Sequence, residues 1–296
     1  MRLLKNINID FLGKRRTAAM LSGGAILIGL LSLLANGGPR LGIDFTGGTL
    51  AQIQFAAPIE LSELRERLLD QGFNRPAIQR FGTGNEILIR VPAEEGGTNT
   101  SPRLRAAFAG LDFEIRRMDS VGPKIGGELK WSALKAIFFA LLGILIYISL
   151  RFDRYYALGA VVALAHDVLI TLGIFSLLKL ELDLAIVAAF LTIVGYSLND
   201  TIVVFDRIRE NVHNDRKADF FTTVNRSINQ TLSRTIITSL TTFAVVLTLY
   251  LVGGEVIKYF ALALIIGIIV GTYSSIYVAS PLMAALEVRA QARARK

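Results

Sequence analysis

The sequence predicts an α-helical polytopic membrane protein with six transmembrane helices and an inserted α+β ferredoxin-like domain. Three observations predict it. Apolar blocks recur at about 17–25 residues, the length that crosses roughly 30 Å of hydrocarbon. Charged residues make up 19% of the chain and hydrophobic ones 52%, whereas soluble domains carry about 25% charged residues. The one long stretch without such a block, residues 36–130, alternates strand-like and helix-like patterns instead.

The expected spans are 17–35, 133–150, 156–178, 184–205, 235–252 and 257–280. Lys14, Arg15 and Arg16 precede the first, which gives it the look of a signal segment. No convincing cleavage site follows Ala35, so the segment is read as an uncleaved anchor. The formal net charge of +8 is read as orientation charge rather than as a nucleic-acid footprint, because the bases gather at span ends. Lys5 joins the basic group before span one, Arg151 and Arg154 lie between spans two and three, and Arg207, Arg209, Arg216, Lys217 and Arg226 between spans four and five. Arg289, Arg293, Arg295 and Lys296 end the chain. If every span crosses, all fall on one side, and the loops near Lys179–Asp183 and Gly253–Glu255 fall on the other. Both termini are therefore expected in the cytoplasm, and residues 36–130 on the outer side. The organisation expected is an N-terminus and first helix over 1–35, an outer domain and elbow over 36–130, a five-helix bundle over 131–285 and a basic tail over 286–296.

Within the outer segment Thr49–Phe55 alternates like a strand, and Glu60–Gln71 carries Leu61, Leu64 and Leu68 at helical spacing before Gly72. Ala77–Phe81 and Glu86–Val91 read as strands joined through Gly82–Gly84, Ser101–Ala109 as a short helix, and Leu111–Met118 as a fourth strand. The order β-α-β-β-α-β is the ferredoxin-like pattern. Ala93–Asn99 reads as a glycine-rich loop. Gly122–Leu129 reads as an elbow ahead of Trp131, which suits a membrane interface. A phosphate-binding loop would need the GxxxxGK[ST] spacing, which is missing. The chain has no cysteine and two histidines, His166 and His213. Disulfides, thiol catalysis and histidine-built metal sites are thereby excluded, no cofactor is indicated, and no nucleophile–base cluster suggests an enzyme.

The informative residues are polar ones inside the spans, where a charge costs roughly 2.5–3.5 kcal/mol on insertion scales and usually marks an ion or proton path. Asp200 sits in Leu191–Asp206, about 9 Å inside the boundary suggested by Asp206 and Arg207. Thr192 and Tyr196 share its helical face, and Ser197 and Asn199 flank it. Arg234, at the start of span five, is the natural partner, with Thr238, Thr241 and Thr242 continuing its face. A static ion pair, or an arginine reaching to headgroups, is the plainer reading. Asp167 lies near the middle of span three beside His166, with Thr171 one turn on. Adjacent helical residues point apart, so these two are not expected to form one site, and a structural hydrogen bond explains either. Gly267 and Gly271 give span six a GxxxG spacing, suited to close helix packing. Arg207–Ser233 reads as an amphipathic surface helix with Phe220, Phe221, Val224 and Ile228 toward the membrane.

Six stretches, in order, carry a family resemblance: Gly42-Ile-Asp-Phe-Thr-Gly-Gly48, Val121-Gly-Pro-Lys-Ile-Gly126, Ala165-His-Asp167, Gly195-Tyr-Ser-Leu-Asn-Asp200, Phe205-Asp-Arg-Ile-Arg-Glu-Asn211 and Arg234-Thr-Ile-Ile-Thr-Ser239. Together they make the chain similar to the SecF family, the smaller partners of SecD in the bacterial Sec secretion accessory complex, and more distantly to resistance–nodulation–division transporters. The resemblance implies pairing with a SecD-like subunit into a twelve-span unit beside the SecYEG channel. It also implies use of the proton gradient to draw exported, unfolded polypeptide across the inner membrane. It assigns a proton path to the positions of Asp200 and Arg234, completed by an aspartate from SecD. Asp167, His166, Asn199, Thr192, Tyr196 and Thr238 are secondary candidates for that path or for structural polar contacts. Two other readings are a half-transporter exporting lipid or a small amphiphile, and a structural scaffold. The small outer domain disfavours the first, and the Asp200–Arg234 pairing argues against the second.

Overall fold

The computed structural model describes residues 8–73, 76–80, 85–92, 100–215 and 218–294, which form two compact units. The hairpin expected through Gly82–Gly84, the loop Ala93–Asn99 and the basic residues Lys5, Arg216, Lys217, Arg295 and Lys296 lie outside the described residues.

The outer unit comprises Leu41–Ala136 together with Glu181–Leu184. A short strand β1 (Arg40–Leu41) leads to a single turn α2 (Ile43–Thr46), then β2 (Gly48–Phe55), α3 (Leu61–Asp70), β3 (Ala77–Arg80), β4 (Glu86–Val91), α4 (Thr100–Ala107) and β5 (Phe113–Val121). The sheet runs β3-β4-β2-β5 with every neighbour antiparallel. Strand alternation sends Ala51, Ile53, Phe55, Ile87, Ile89 and Val91 to one face. Leu64 and Leu68 of α3, and Leu104 and Phe108 at α4, close over that face. Phe55, Phe108 and Phe113 meet at ring separations of 5.6–6.2 Å. With no cysteine in the chain, this core holds the unit unaided.

The expected elbow at Gly122–Leu129 is instead the first part of a long helix, α5 (Pro123–Arg151). Pro123 opens it where its missing N–H is no loss. Gly126 explains why no side chain stands there: a Cβ would lie 2.9 Å from the Gly47 nitrogen. Gly47 itself turns at φ 71°, a left-handed conformation open to glycine. The Gly42–Gly48 stretch is thus a tight turn built to receive a helix. Asp44 of the same turn accepts from the Leu184 N–H at 2.9 Å, and Gly42 N–H donates to Leu182 O at 2.7 Å. Arg90 and Glu181 form an ion pair.

The membrane unit holds the six helices long and apolar enough to cross a bilayer. They are α1 (Arg15–Ala35), α5, α6 (Arg154–Leu177), α7 (Leu184–Asn214), α8 (Phe220–Val252) and a last helix made of α9 (Glu255–Ser274), a π-helical turn (Ser275–Ala279) and α10 (Ser280–Ala294); the small strand β6 (Glu181–Leu182) lies between α6 and α7. α6, α7 and the last helix are the most enclosed, while α1, α5 and α8 turn large apolar side chains outward.

The expected surface helix over Arg207–Ser233 does not exist as a separate element. α7 runs on to Asn214 and α8 begins at Phe220. α8 has 33 residues, about 50 Å at 1.5 Å per residue, so it outruns the hydrocarbon. The apolar stripe is real but faces protein: Val224 and Ile228 are buried among Phe152, Phe205 and Met283. Phe205 packs against the rings of Phe152 and Tyr156 at 5.8 and 5.1 Å. Asn225 and Asn229 bind the backbone of Ile9 and Phe11 from the same stretch.

Two predictions follow from helix packing and capping. α1 and α6 touch backbone to backbone, since a Cβ on Gly173 would lie 2.7 Å from the Gly29 Cα. Gly173→Val is therefore expected to destabilise the bundle by about 1–3 kcal/mol in thermal unfolding. Gly24→Ala, with open space around it, is expected to leave the midpoint unchanged. Asp219 caps α8 by accepting from the Thr222 N–H at 2.9 Å, and that bond holds its carboxyl below the usual carboxylate range. A lowered folded value means stabilisation that is present above the ordinary aspartate range and is lost as pH falls through the lowered one. Asp219→Ala is expected to cost about 0.5–2 kcal/mol at neutral pH, a difference that shrinks in acid when unfolding is followed at both.

Candidate functional site in the transmembrane bundle

The helical period sends Ile193, Ser197, Asp200 and Val204 of α7 inward. Gly267 and Gly271 receive that face. A Cβ on Gly267 would strike the Ile193 side chain at 2.2 Å, and one on Gly271 would come within 2.9 Å of the Ser197 Cβ. The GxxxG spacing therefore packs α9 on α7 within this chain, i and i+4 against i and i+4.

Asp200 is 2% exposed. Ser239 of α8 donates to its Oδ2 at a long 3.3 Å, and the Ser239 hydroxyl also meets that of Thr272 on α9 at 2.8 Å. Arg234 is not the contact partner expected. It is exposed and forms no ion pair among the described residues. The reason is rotational: α8 presents Thr235 and Ser239 inward, and Arg234, one residue earlier, is turned about 100° away. Thr238 returns its hydroxyl to the carbonyls of Arg234 and Thr235, and Thr192 returns its own to Ala188. Asn199 is exposed. Tyr196, one turn from Asp200, packs near Val246 and Ile268. The hydroxyls of Tyr196 and Thr235 are buried without a hydrogen-bond partner among the described residues.

Asp167 and His166, expected to be separate, form one cluster. The imidazole Nδ1 stands 2.8 Å from Asp167 Oδ1, because a ring nitrogen so near its own backbone reaches a carboxylate on the adjacent residue. Ser197 of α7 and Ser274 of α9 both donate to Asp167 Oδ2, at 2.5 and 2.8 Å. His166 Nε2 meets Ser22 of α1 at 2.9 Å, Ser22 meets Tyr273 at 3.0 Å, and Tyr273 donates to the Ala18 carbonyl at 2.9 Å. One carboxylate thus ties together α6, α7 and α9, and through His166 also α1. Thr171 bonds its own helix at Asp167 O.

Ser22, Ser197, Ser239, Thr272, Tyr273 and Ser274 complete this polar interior, and the sequence reading assigned none of them a partner. A hydroxyl in an apolar span reads as a small packing residue. The available signal was the run Thr272, Tyr273, Ser274, Ser275 in an otherwise greasy helix. There the π-helical turn begins, a device common at functional sites.

A family model described as Protein export membrane protein SecD/SecF, C-terminal, matches residues 102–289, and one for the SecD/SecF GG motif matches residues 32–59. Protein translocase subunit SecF of Calditerrivibrio nitroreducens is 48% identical over 96% of this chain and 96% of its own length. The namesake of Escherichia coli O157:H7 is 44% identical over 88% and 82%. The chain belongs to the SecF family of protein translocase subunits. SecF-family membership agrees with the solved folds: the crystal structure of SecDF, a translocon-associated membrane protein from Thermus thermophilus, matches 97% of this chain at 40% identity with a TM-score of 0.87. A second SecDF structure, in the super-membrane-facing form, gives 0.72 over 99%. This chain spans 40% of the length of those solved chains. The SecF-family match over 102–289 encloses Asp167, Asp200 and Arg234, and the glycine turn at Gly47 falls in the GG-motif match.

The two hydroxyls of α8 beside Asp200 are expected to respond oppositely to removal. Ser239→Ala takes away the carboxylate's donor and is expected to cost about 1.5–3 kcal/mol of stability. Thr235→Val removes an orphaned hydroxyl at constant shape and is expected to leave stability unchanged or raised. Thermal unfolding of the two variants in one detergent measures both.

Proposed function

We propose that the chain works with a SecD-like subunit to convert the proton motive force into export of unfolded polypeptide across the bacterial inner membrane, beside the SecYEG channel, and is not an enzyme. The observation that carries this reading is Asp200: an ionisable group 2% exposed, in the middle of six apolar helices, with a single 3.3 Å hydrogen bond and no ion pair among the described residues. Charge on such a carboxylate is disfavoured by burial and favoured by an approaching guanidinium. Arg234 lies on α8, the helix whose Ser239 donates to Asp200, and forms no ion pair among the described residues. Movement of α8 that brings the two together or apart would change whether Asp200 holds a proton. A membrane potential supplies roughly 2.3 kcal/mol per charge per 100 mV for such a step.

The exposed face of Arg234 supports a partner subunit, since Val245, three turns on along the same face of α8, is also exposed and a guanidinium within the bilayer needs a partner or a polar path. A SecD-like chain covering α8 would supply it. The solved SecDF chain, of which this chain corresponds to 40%, supports that arrangement. The basic residues at span ends support cytoplasmic termini and a periplasmic outer unit, with membrane lipid around the rest.

Asp200→Asn, reconstituted with the SecD-like partner and the channel, is expected to remove the gradient-dependent part of export and to spare the ATP-driven part. Gradient-dependent export at the parental level would overturn the assignment. Arg234→Lys keeps the charge but loses the planar fork, and reduced gradient dependence is expected. Full activity would make Arg234 a simple anchor to the headgroups.

A further inference from the structure

The cluster around Asp167 has more hydrogen-bond contacts than protons to fill them if the carboxyl is ionised and the imidazole neutral. Six contacts hold it: Tyr273 Oη with Ala18 O and with Ser22 Oγ, Ser22 Oγ with His166 Nε2, His166 Nδ1 with Asp167 Oδ1, and Asp167 Oδ2 with Ser197 Oγ and with Ser274 Oγ. Each needs one hydrogen between its heavy atoms. Four hydroxyls supply four and a neutral imidazole supplies a fifth, so one is missing. The directions locate the gap. Ala18 O is a carbonyl and accepts, so Tyr273 donates there. Ser22 must then donate to Tyr273, and His166 Nε2 to Ser22. Nδ1 of a neutral ring is left as an acceptor facing Asp167 Oδ1, where an ionised carboxylate offers it nothing. Gly271 O competes for the Ser274 proton at 3.1 Å, which deepens the shortage.

We propose that His166 and Asp167 form a buried proton-binding site, separate from Asp200, that holds one proton in this conformation. The proton makes the pair either imidazolium against carboxylate or an Nε2-protonated ring against a carboxylic acid. Both forms fill all six contacts and leave the pair with no net charge, as its burial demands: His166 is 4% exposed and Asp167 0%. The groups facing the pair are few. Tyr273 stacks on the imidazole at 5.9 Å and Tyr277 lies beside Tyr273. On α7, the ionisable residues nearest along the helix are Tyr196, next to Ser197, and Asp200, three positions on. His166 and Ser22 line an apolar cavity of about 520 Å³ that Arg15, Arg16 and Tyr277 also line, while α10 contributes Pro281 and Leu282. Asp200 does not line that cavity, so the imidazole has surroundings of its own. Through Ser197 and Ser274, the same proton sets the charge against which α7 and α9 are held.

The chain has two histidines, His166 and His213, so nitrogen-15 spectra of the histidine-labelled full chain in lipid contain two rings, and His213→Asn assigns them. At neutral pH the His166 ring is expected to be doubly protonated, or neutral with its proton on Nε2 together with an infrared carboxylic-acid band that Asp167→Asn abolishes. A neutral ring protonated on Nδ1 against an ionised carboxylate would overturn the proposal, and would mean that the Tyr273 proton bridges Ser22 and Ala18. Asp167→Asn supplies the missing hydrogen itself, its amide N–H facing Nδ1 and its oxygen facing the serines. The variant is expected to keep the parental unfolding midpoint and a neutral, Nε2-protonated ring. Protonation on Nδ1 in that variant would also count against the proposal. None of these readouts involves export, so they are independent of the role given to Asp200.

Discussion

Water cannot serve the middle of a transmembrane bundle, so each polar group there must be satisfied by another part of the chain. The Asp167 carboxylate is where this constraint binds hardest. It is fully buried, and it accepts from α7 and α9 while its own helix, α6, supplies the imidazole that reaches α1. Helix association in lipid draws little from the hydrophobic effect and depends on close packing and interhelical hydrogen bonds. The glycines provide the approach that makes those bonds short. Gly271 brings Ser197 to α9, and Gly29 and Gly173 bring α1 to α6.

The outer unit answers a different constraint. Its strands and helices bury one continuous apolar face, so its stability is that of an ordinary small core. Its unusual feature is the turn after Gly42, where a left-handed Gly47 lies under Gly126 of α5. A side chain at Gly126 would force the backbones apart, one at Gly47 would strain a left-handed turn, and the whole motif reads as a contact between backbones. The carboxylate of Asp44 then sits on the first N–H of α7, the end of a helix where negative charge is favoured.

What the sequence made legible follows period and length. The six spans, the strands Thr49–Phe55 and Glu86–Val91 and the helix around Leu64 and Leu68 all rest on repeated signals and are found where expected, but the apolar signal marks only the part of a helix inside the bilayer: α5 and α8 begin at Pro123 and Phe220, well before 133 and 235, and α7 and α10 run on to Asn214 and Ala294. Asp200 was legible because a lone carboxylate in an apolar helix is conspicuous. Contacts set by helix rotation were not. Arg234 and Thr235 are neighbours in sequence, yet they face different surroundings, and no pattern within α8 alone decides which of them meets Asp200. The stripe of Val224 and Ile228 was legible as apolar but not as protein-facing, because a membrane surface and a neighbouring helix ask for the same residues. His166 and Asp167 were set apart by a rule about side chains on a helix surface. That rule does not govern an imidazole nitrogen close to its own backbone.

The two buried aspartates differ in how completely they are satisfied. Asp167 has three polar partners at 2.5–2.8 Å from three helices. Asp200 has one at 3.3 Å, and two buried hydroxyls nearby on α7 and α8, those of Tyr196 and Thr235, stand without partners among the described residues. A fully bonded carboxylate resists rearrangement, since any motion breaks several bonds at once. An under-bonded one beside idle donors gains from motion that brings new partners. The bundle therefore pairs a fixed polar anchor with a polar group one helical turn away that its surroundings leave incomplete. Ser197, one turn from Asp200 on α7, links the two along a single helix. Any step that alters Asp200 must act on a helix whose position Asp167 holds, which is the geometry needed for a local change of charge to become movement of a whole element.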